Sequence, residues 1–209
     1  SSWVGSNVFE RIPHLEDEFA NLWEADVMAQ GRIWLPSPPD PSSFLVPFVV
    51  DDGGKRFGKC PPGWPAALAL GARAGLPWIV NPLLAGFSAW LIFRLGSKIA
   101  GPGVGLVAEL LSVTSPMFLM LSGSLLSHPL TLFLVLAFAL AWLDLFPRPF
   151  VDGPVRSAPP WMLVAVAGLS LGLSALTRPL TALGVALPFA IDGARLLIVG
   201  DRGPRLRLL

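Results

Sequence analysis

The residues that could do chemistry are few and lie far apart in the chain. Glu16, Asp17 and Glu18 form a run of three acids. Lys59 is the cation in Phe57-Gly58-Lys59-Cys60-Pro61-Pro62-Gly63-Trp64-Pro65, and His128 and Arg178 interrupt long apolar runs. A carboxylate can take a proton from a hydroxyl. Cations can hold a phosphate through charge-assisted hydrogen bonds, roughly twice as strong as neutral ones. Together these groups suit transfer from a lipid-anchored phosphate to a hydroxyl. Phosphate already leaves readily, so the chemistry needs a base rather than a general acid. Asp17 or Glu18 would be the base, and Lys59, Arg178 and His128 would contact the phosphate. Clustering three carboxylates is expected to raise at least one pKa toward neutrality, which improves a base.

Each residue also has a plainer reading. Acids in the first turn of a helix suit its dipole. A lysine at a membrane boundary snorkels to head groups, an arginine there can bond loop carbonyls or lipid phosphate, and a loop histidine is often merely satisfied. The lone Cys60 rules out an internal disulfide framework and any cysteine-rich metal site, and no metal-ligand spacing is present. No cofactor is expected from the residues, although a divalent metal stays open. His14-Leu15-Glu16 echoes the start of a deaminase signature, but no cysteine pair follows.

The elements that must position these groups are membrane-like. The 209 residues are 53% hydrophobic and 14% charged, with mean hydropathy +0.64, against about 25% charged in a soluble domain. A net charge of +1 offers no field for nucleic acid. The expected fold is all-α: a polytopic transmembrane helix bundle, with membrane-surface helices in a long first outer loop. That loop is residues 1–76, and it holds nine of the fourteen acids within its first 52 residues. The spacing predicts an amphipathic helix over about 15–30, with Leu15, Phe19, Leu22, Trp23 and Val27 on one side, and a second helix from Pro65 to Leu76. Between them Phe44 to Val50 reads as extended and Asp51-Asp52-Gly53-Gly54 as a turn. Five apolar spans follow within 77–199, at about 77–95, 103–122, 128–146, 161–176 and 180–199. The last two meet at Thr177-Arg178-Pro179, which predicts a tight hairpin. Gly168 and Gly172, four apart, are expected to let a neighbouring helix approach closely.

Short basic loops set the orientation. Arg94 and Lys98, Arg148 and Arg156, and Arg195 with the basic segment 200–209 alternate correctly to share a cytoplasmic side. Residues 1–76, the turn at 122–128 and Thr177-Arg178-Pro179 then face the other side, so the acids, Lys59, His128 and Arg178 fall on the same face. The chain starts at Ser1 and ends in a basic stretch, which reads as a piece of a longer multi-pass protein of the cell membrane.

His14-Leu15-Glu16-Asp17-Glu18-Phe19-Ala20 with Gly31, followed by the Lys59-Cys60-Pro61-Pro62 segment, resembles the first outer loop of GT-C membrane glycosyltransferases. The nearest group is glycosyltransferase family 39, which holds the protein O-mannosyltransferases and aminoarabinose transferases. The resemblance runs from about residue 10 to 190. It implies an inverting enzyme that uses a polyprenyl-phosphate sugar donor and a hydroxyl acceptor on protein, lipid or glycan. It also implies that the family's acidic base maps to Asp17, with Glu18 beside it, and its phosphate-contacting lysine to Lys59. Cys60 departs from the family pattern, which has tyrosine there, and removes any aromatic contact at that position. The family's preceding helix and later helices are absent from this stretch, so this piece alone is expected to be inactive. Two other readings compete: a transporter or flippase for a lipid-linked anion, with the cations as its binding site and the acids as proton carriers, and a non-catalytic membrane scaffold.

Overall fold

A computed structural model describes residues 2–146 and 158–198. The expected cytoplasmic loops at 147–160 and 200–209 lie largely or wholly outside the described residues. The chain is mostly helical. In order come α1 (Ser2–Asn7), α2 (Glu16–Ala29), β1 (Leu35–Pro36), β2 (Val49–Asp52), β3 (Lys55–Gly58), α3 (Gly63–Arg73), α4 (Val80–Ala100), α5 (Pro102–Val113), α6 (Pro116–Gly123), α7 (His128–Leu145), α8 (Pro160–Thr177) and α9 (Pro179–Ile198).

The all-α expectation fits, with one small sheet added in the first loop. β3 is the middle strand of an antiparallel sheet ordered β1-β3-β2, and Asp52 pairs with Lys55 across Gly53-Gly54. Both glycines have positive φ, which the two-residue turn requires. The charged start of β3, Lys55-Arg56, hides its strand character from a hydropathy reading.

α2 differs from the expected surface helix. The side turned into the protein is mixed: Glu18, Asn21 and Glu24 are buried beside Ala20, Ala25 and Val27, while Leu15 and Phe19 are exposed. α3 packs along it through a core of Ala25, Trp64, Leu68 and Leu125. Polar groups tolerate that position only because most of them find backbone partners there.

Four helices are long and apolar enough to cross a membrane: Pro77–Ala100, His128–Leu145, Pro160–Thr177 and Pro179–Ile198. The span expected at 103–122 is broken instead. α5 and α6 meet at a 61° bend, and they make a fifth crossing only if counted together. Pro116 has no N–H to continue α5, and the Thr114 hydroxyl bonds back to Leu110 O at 2.7 Å.

Contacts fix how the helices run. Asn81, at the start of α4, donates to Ser124 O and Leu126 O just before α7. Lys98, near the end of α4, pairs with Asp144 near the end of α7. α4 and α7 are therefore parallel. Phe138 and Ala141 of α7 pack with Ala167 of α8 and Phe189 of α9, so α8 returns and α9 descends again through the expected hairpin. The close helix approach lies at Gly96 and Gly105, not at Gly168 and Gly172. A Cβ on Gly96 would come within 2.8 Å of Gly105 Cα, whereas nothing lies within 4 Å of a Cβ on Gly168 or Gly172.

The start of α4, the start of α7 and the α8–α9 turn thus gather at one end of the bundle. α2 and α3 sit on that end: a Cβ on Gly63 at the start of α3 would meet Thr177 Oγ1 at 2.6 Å.

Candidate functional site

A cleft of about 460 Å³ opens where the surface helices meet this end of the bundle. α2 contributes Asp17 and Asn21 to it, the β3–α3 turn contributes Cys60 and Pro61, and α3 contributes Trp64. Ser127 and His128 come from the start of α7, and Thr177 to Thr181 from the α8–α9 turn. Three of the sequence-predicted residues, Asp17, His128 and Arg178, therefore share one cavity although they lie far apart in the chain.

One loop holds the parts together. Leu125 is fully buried and is bonded from three sides. Its N–H donates to Glu18 Oε1 at 2.7 Å, and its carbonyl accepts from Trp64 Nε1 at 2.8 Å and from Asn21 Nδ2 at 3.4 Å. α2 and α3 thereby grip the residues just before α7, and so hold His128 and Asp17 in the same cleft.

Glu18 is committed to this framework. Besides Leu125, its carboxylate accepts the N–H of His14 at 2.8 Å and of Leu15 at 3.1 Å, which caps α2. It is 3% exposed and does not line the cleft. Asp17, one residue earlier and about 100° around the helix, is exposed and does. The two acids named together from sequence are thus separated: one faces the cavity and the other braces the wall behind it.

The cations differ in setting. Arg178 is half-buried, caps the end of α8 and makes no ion pair among the described residues. His128 is half-buried with Nδ1 unpartnered, and it also borders an apolar cavity of about 210 Å³ walled by Ala85, Phe118, Leu121 and Leu132. Asp17 and Arg178 both act electrostatically on His128, which reflects their closeness. The first turns of α7 and α9 line the same cleft, so two helix N-termini lend it positive potential. Lys59 is not in the wall. It is exposed in the adjoining turn, where its N–H donates to Phe48 O at 2.8 Å. Its neighbour Cys60 is in the wall, and burial first, then Asp17 and Glu24, push the Cys60 thiol up.

Sequence reasoning missed Asn21, Thr177 and Thr181 as cleft residues, and it placed Glu24 on the polar face of α2 without foreseeing its burial. Asn21 was legible as the residue one turn beyond Asp17. Glu24 is 5% exposed, and burial pushes its carboxyl up to about 7. The cause is desolvation. Among the described residues, no group of three His, Cys, Asp or Glu side chains is placed to hold a metal.

Comparison with protein-family models, curated proteins and solved structures finds no match to this chain.

Proposed function

We propose that this chain is part of a membrane glycosyltransferase that moves a sugar from a polyprenyl-phosphate donor to a hydroxyl acceptor. The observation that carries this reading is the convergence of Asp17, His128 and Arg178 in one cleft at the end of an apolar bundle. A polyprenyl chain would lie in hydrocarbon beside the spans, with its phosphate at the boundary where these residues sit. The resemblance of the acidic turn and the Lys59 segment to the first outer loop of family 39 enzymes points the same way.

The chemistry balances without a cofactor. The acceptor hydroxyl gives its proton to Asp17 as its oxygen bonds to the anomeric carbon from the face opposite the phosphate. The bond between that carbon and the phosphate oxygen breaks, and its electron pair leaves with the phosphate. Arg178, Lys59 at the rim, His128 and the N-termini of α7 and α9 stabilise that charge. The configuration inverts. Glu18 and Asn21 hold Asp17 and His128 in register rather than react.

The cleft belongs on the non-cytoplasmic side under this reading, because Arg94 and Lys98 lie at the opposite end of the bundle. A carrier for a lipid-linked anion is the second reading, and the break between α5 and α6 is the observation that favours it. α6, which follows that break, lines the apolar cavity rather than the cleft.

The test is Asp17→Asn in the intact protein, with sugar transfer and donor binding measured side by side. Transfer is expected to fall by about 10²–10⁴ while donor binding persists. Parental transfer in this variant removes Asp17 as the base. Donor translocation with no glycosylated product favours the carrier.

A further inference from the structure

The polar face of α2 carries Asp17, Asn21 and Glu24 in line, at the repeat of a helix. Asp17 and Asn21 open on the cleft, while Glu24 lies deeper, against Gly58. The contact leaves no room for a side chain: a Cβ on Gly58 would stand 2.1 Å from Glu24 Oε2 and 2.5 Å from Cδ. Glu24 Oε2 is buried and receives no hydrogen bond. The chain that leaves Gly58 is the turn carrying Lys59 and Cys60, so this turn runs along the polar face of α2 from Glu24 toward Asp17. One side of it is tied by Lys59 N–H to Phe48 O. The other rests on the Glu24 carboxyl.

We propose that Glu24 is a positioning residue for the Lys59–Cys60 turn: its protonated carboxyl supports Gly58, and loss of the proton drives the turn off the polar face of α2. The physical reason is desolvation. A buried carboxylate without donors or a cation is strongly unfavourable, so ionisation must bring water or a cation to it. Burial pushes this carboxyl up to about 7, which puts the change in the neutral range.

Among the described residues, the charged and titratable groups around it leave the new charge without a fixed counter-ion. On β3, Arg56 is engaged with Asp51 and Phe44 O. On α3, Arg73 is exposed. On α2 itself, Glu18 is satisfied by three N–H groups, Asp26 is on the exposed side, and Asp17 faces the cleft. In the turn, the Lys59 ammonium makes no hydrogen bond or ion pair among the described residues, and Cys60 is its half-buried neighbour. A turn displaced by ionised Glu24 carries Lys59 with it and shifts the ammonium at the rim of the cleft. That this matters to a donor phosphate rests on the function proposed above; movement of the turn does not.

Cys60 is the only cysteine, lines the cleft and reports on the turn directly. Alkylation by iodoacetamide follows the thiolate, so the rate from a fixed site rises about tenfold per pH unit below the thiol pKa. Between pH 6 and 8, Glu24 passes from about a tenth to about nine-tenths ionised. The two consequences have opposite signs. Charge alone raises the Cys60 pKa, and the rise falls short of tenfold per unit. A displaced turn uncovers the thiol, and the rise exceeds it.

In the intact protein in nanodiscs, the expected result is a rise across this range several-fold greater than thiolate formation accounts for. Glu24→Gln should restore about tenfold per unit. Gly58→Ala, whose Cβ displaces the turn at every pH, should alkylate fast throughout without the extra steepness. A wild-type rise at or below tenfold per unit, or extra steepness kept in Glu24→Gln, overturns the proposal. If Glu24→Gln does not fold, the comparison of wild type with Gly58→Ala still decides. A donor affinity equal at pH 6 and 8, beside the expected Cys60 profile, would instead remove Lys59 from phosphate binding and leave the role of Glu24 intact.

Discussion

Replacing Glu18 separates a structural acid from a chemical one. In Glu18→Ala, three N–H groups lose their acceptor. Those of His14 and Leu15 are at an exposed helix start and turn to water, so their loss resembles that of an N-cap, about 1 kcal/mol. The N–H of Leu125 has no such recourse, because Leu125 is fully buried. An unsatisfied buried donor costs about 1–3 kcal/mol. The expected total is about 2–4 kcal/mol, which for a chain of this size lowers the unfolding midpoint by on the order of 10 °C. Thermal unfolding in detergent, followed by tryptophan fluorescence, reads it, since the Trp64 indole shares the Leu125 peptide. Sugar transfer should decline only as far as the loop before α7 loosens, and lowering the assay temperature should recover much of it. If the midpoint moves by less than about 2 °C while transfer disappears, the acid acts chemically and the bracing role is wrong.

Two further outcomes are expected. Lys59→Met and Arg178→Lys should each weaken donor binding more than they slow turnover of bound donor; Arg178→Lys should be the costlier, because a planar bidentate donor becomes a point charge. Unchanged donor affinity in both leaves these residues as membrane anchors. In a Cys60→Ser background, Gly53→Cys should react with a thiol reagent that cannot cross the membrane, while Ile99→Cys, at the opposite end of the bundle, should not; the reverse pattern inverts the proposed orientation.

Local physics was legible in the sequence. The acids of α2, its stop at Gly31, the long apolar helices and the hairpin at Arg178 all follow from short-range patterning. The break before Pro116 had a local signal too, in Thr114-Ser115-Pro116, but its apolar flanks read as one span. What stayed hidden depends on partners distant in the chain. Glu18 and Asp17 are adjacent acids, and only the Leu125 peptide, 107 residues away from Glu18, makes one a brace and leaves the other facing the cavity. Gly96 and Gly168 look alike in sequence, but only Gly96 meets another helix, because α5 folds back against α4. Glu24 reads as one more polar residue on a surface helix, and it becomes a buried carboxyl because β3 packs on it at Gly58. A residue's type sets what it can bond. Whether water or protein answers that bond is decided by long-range packing, and that choice places Asp17, His128 and Arg178 in one cleft.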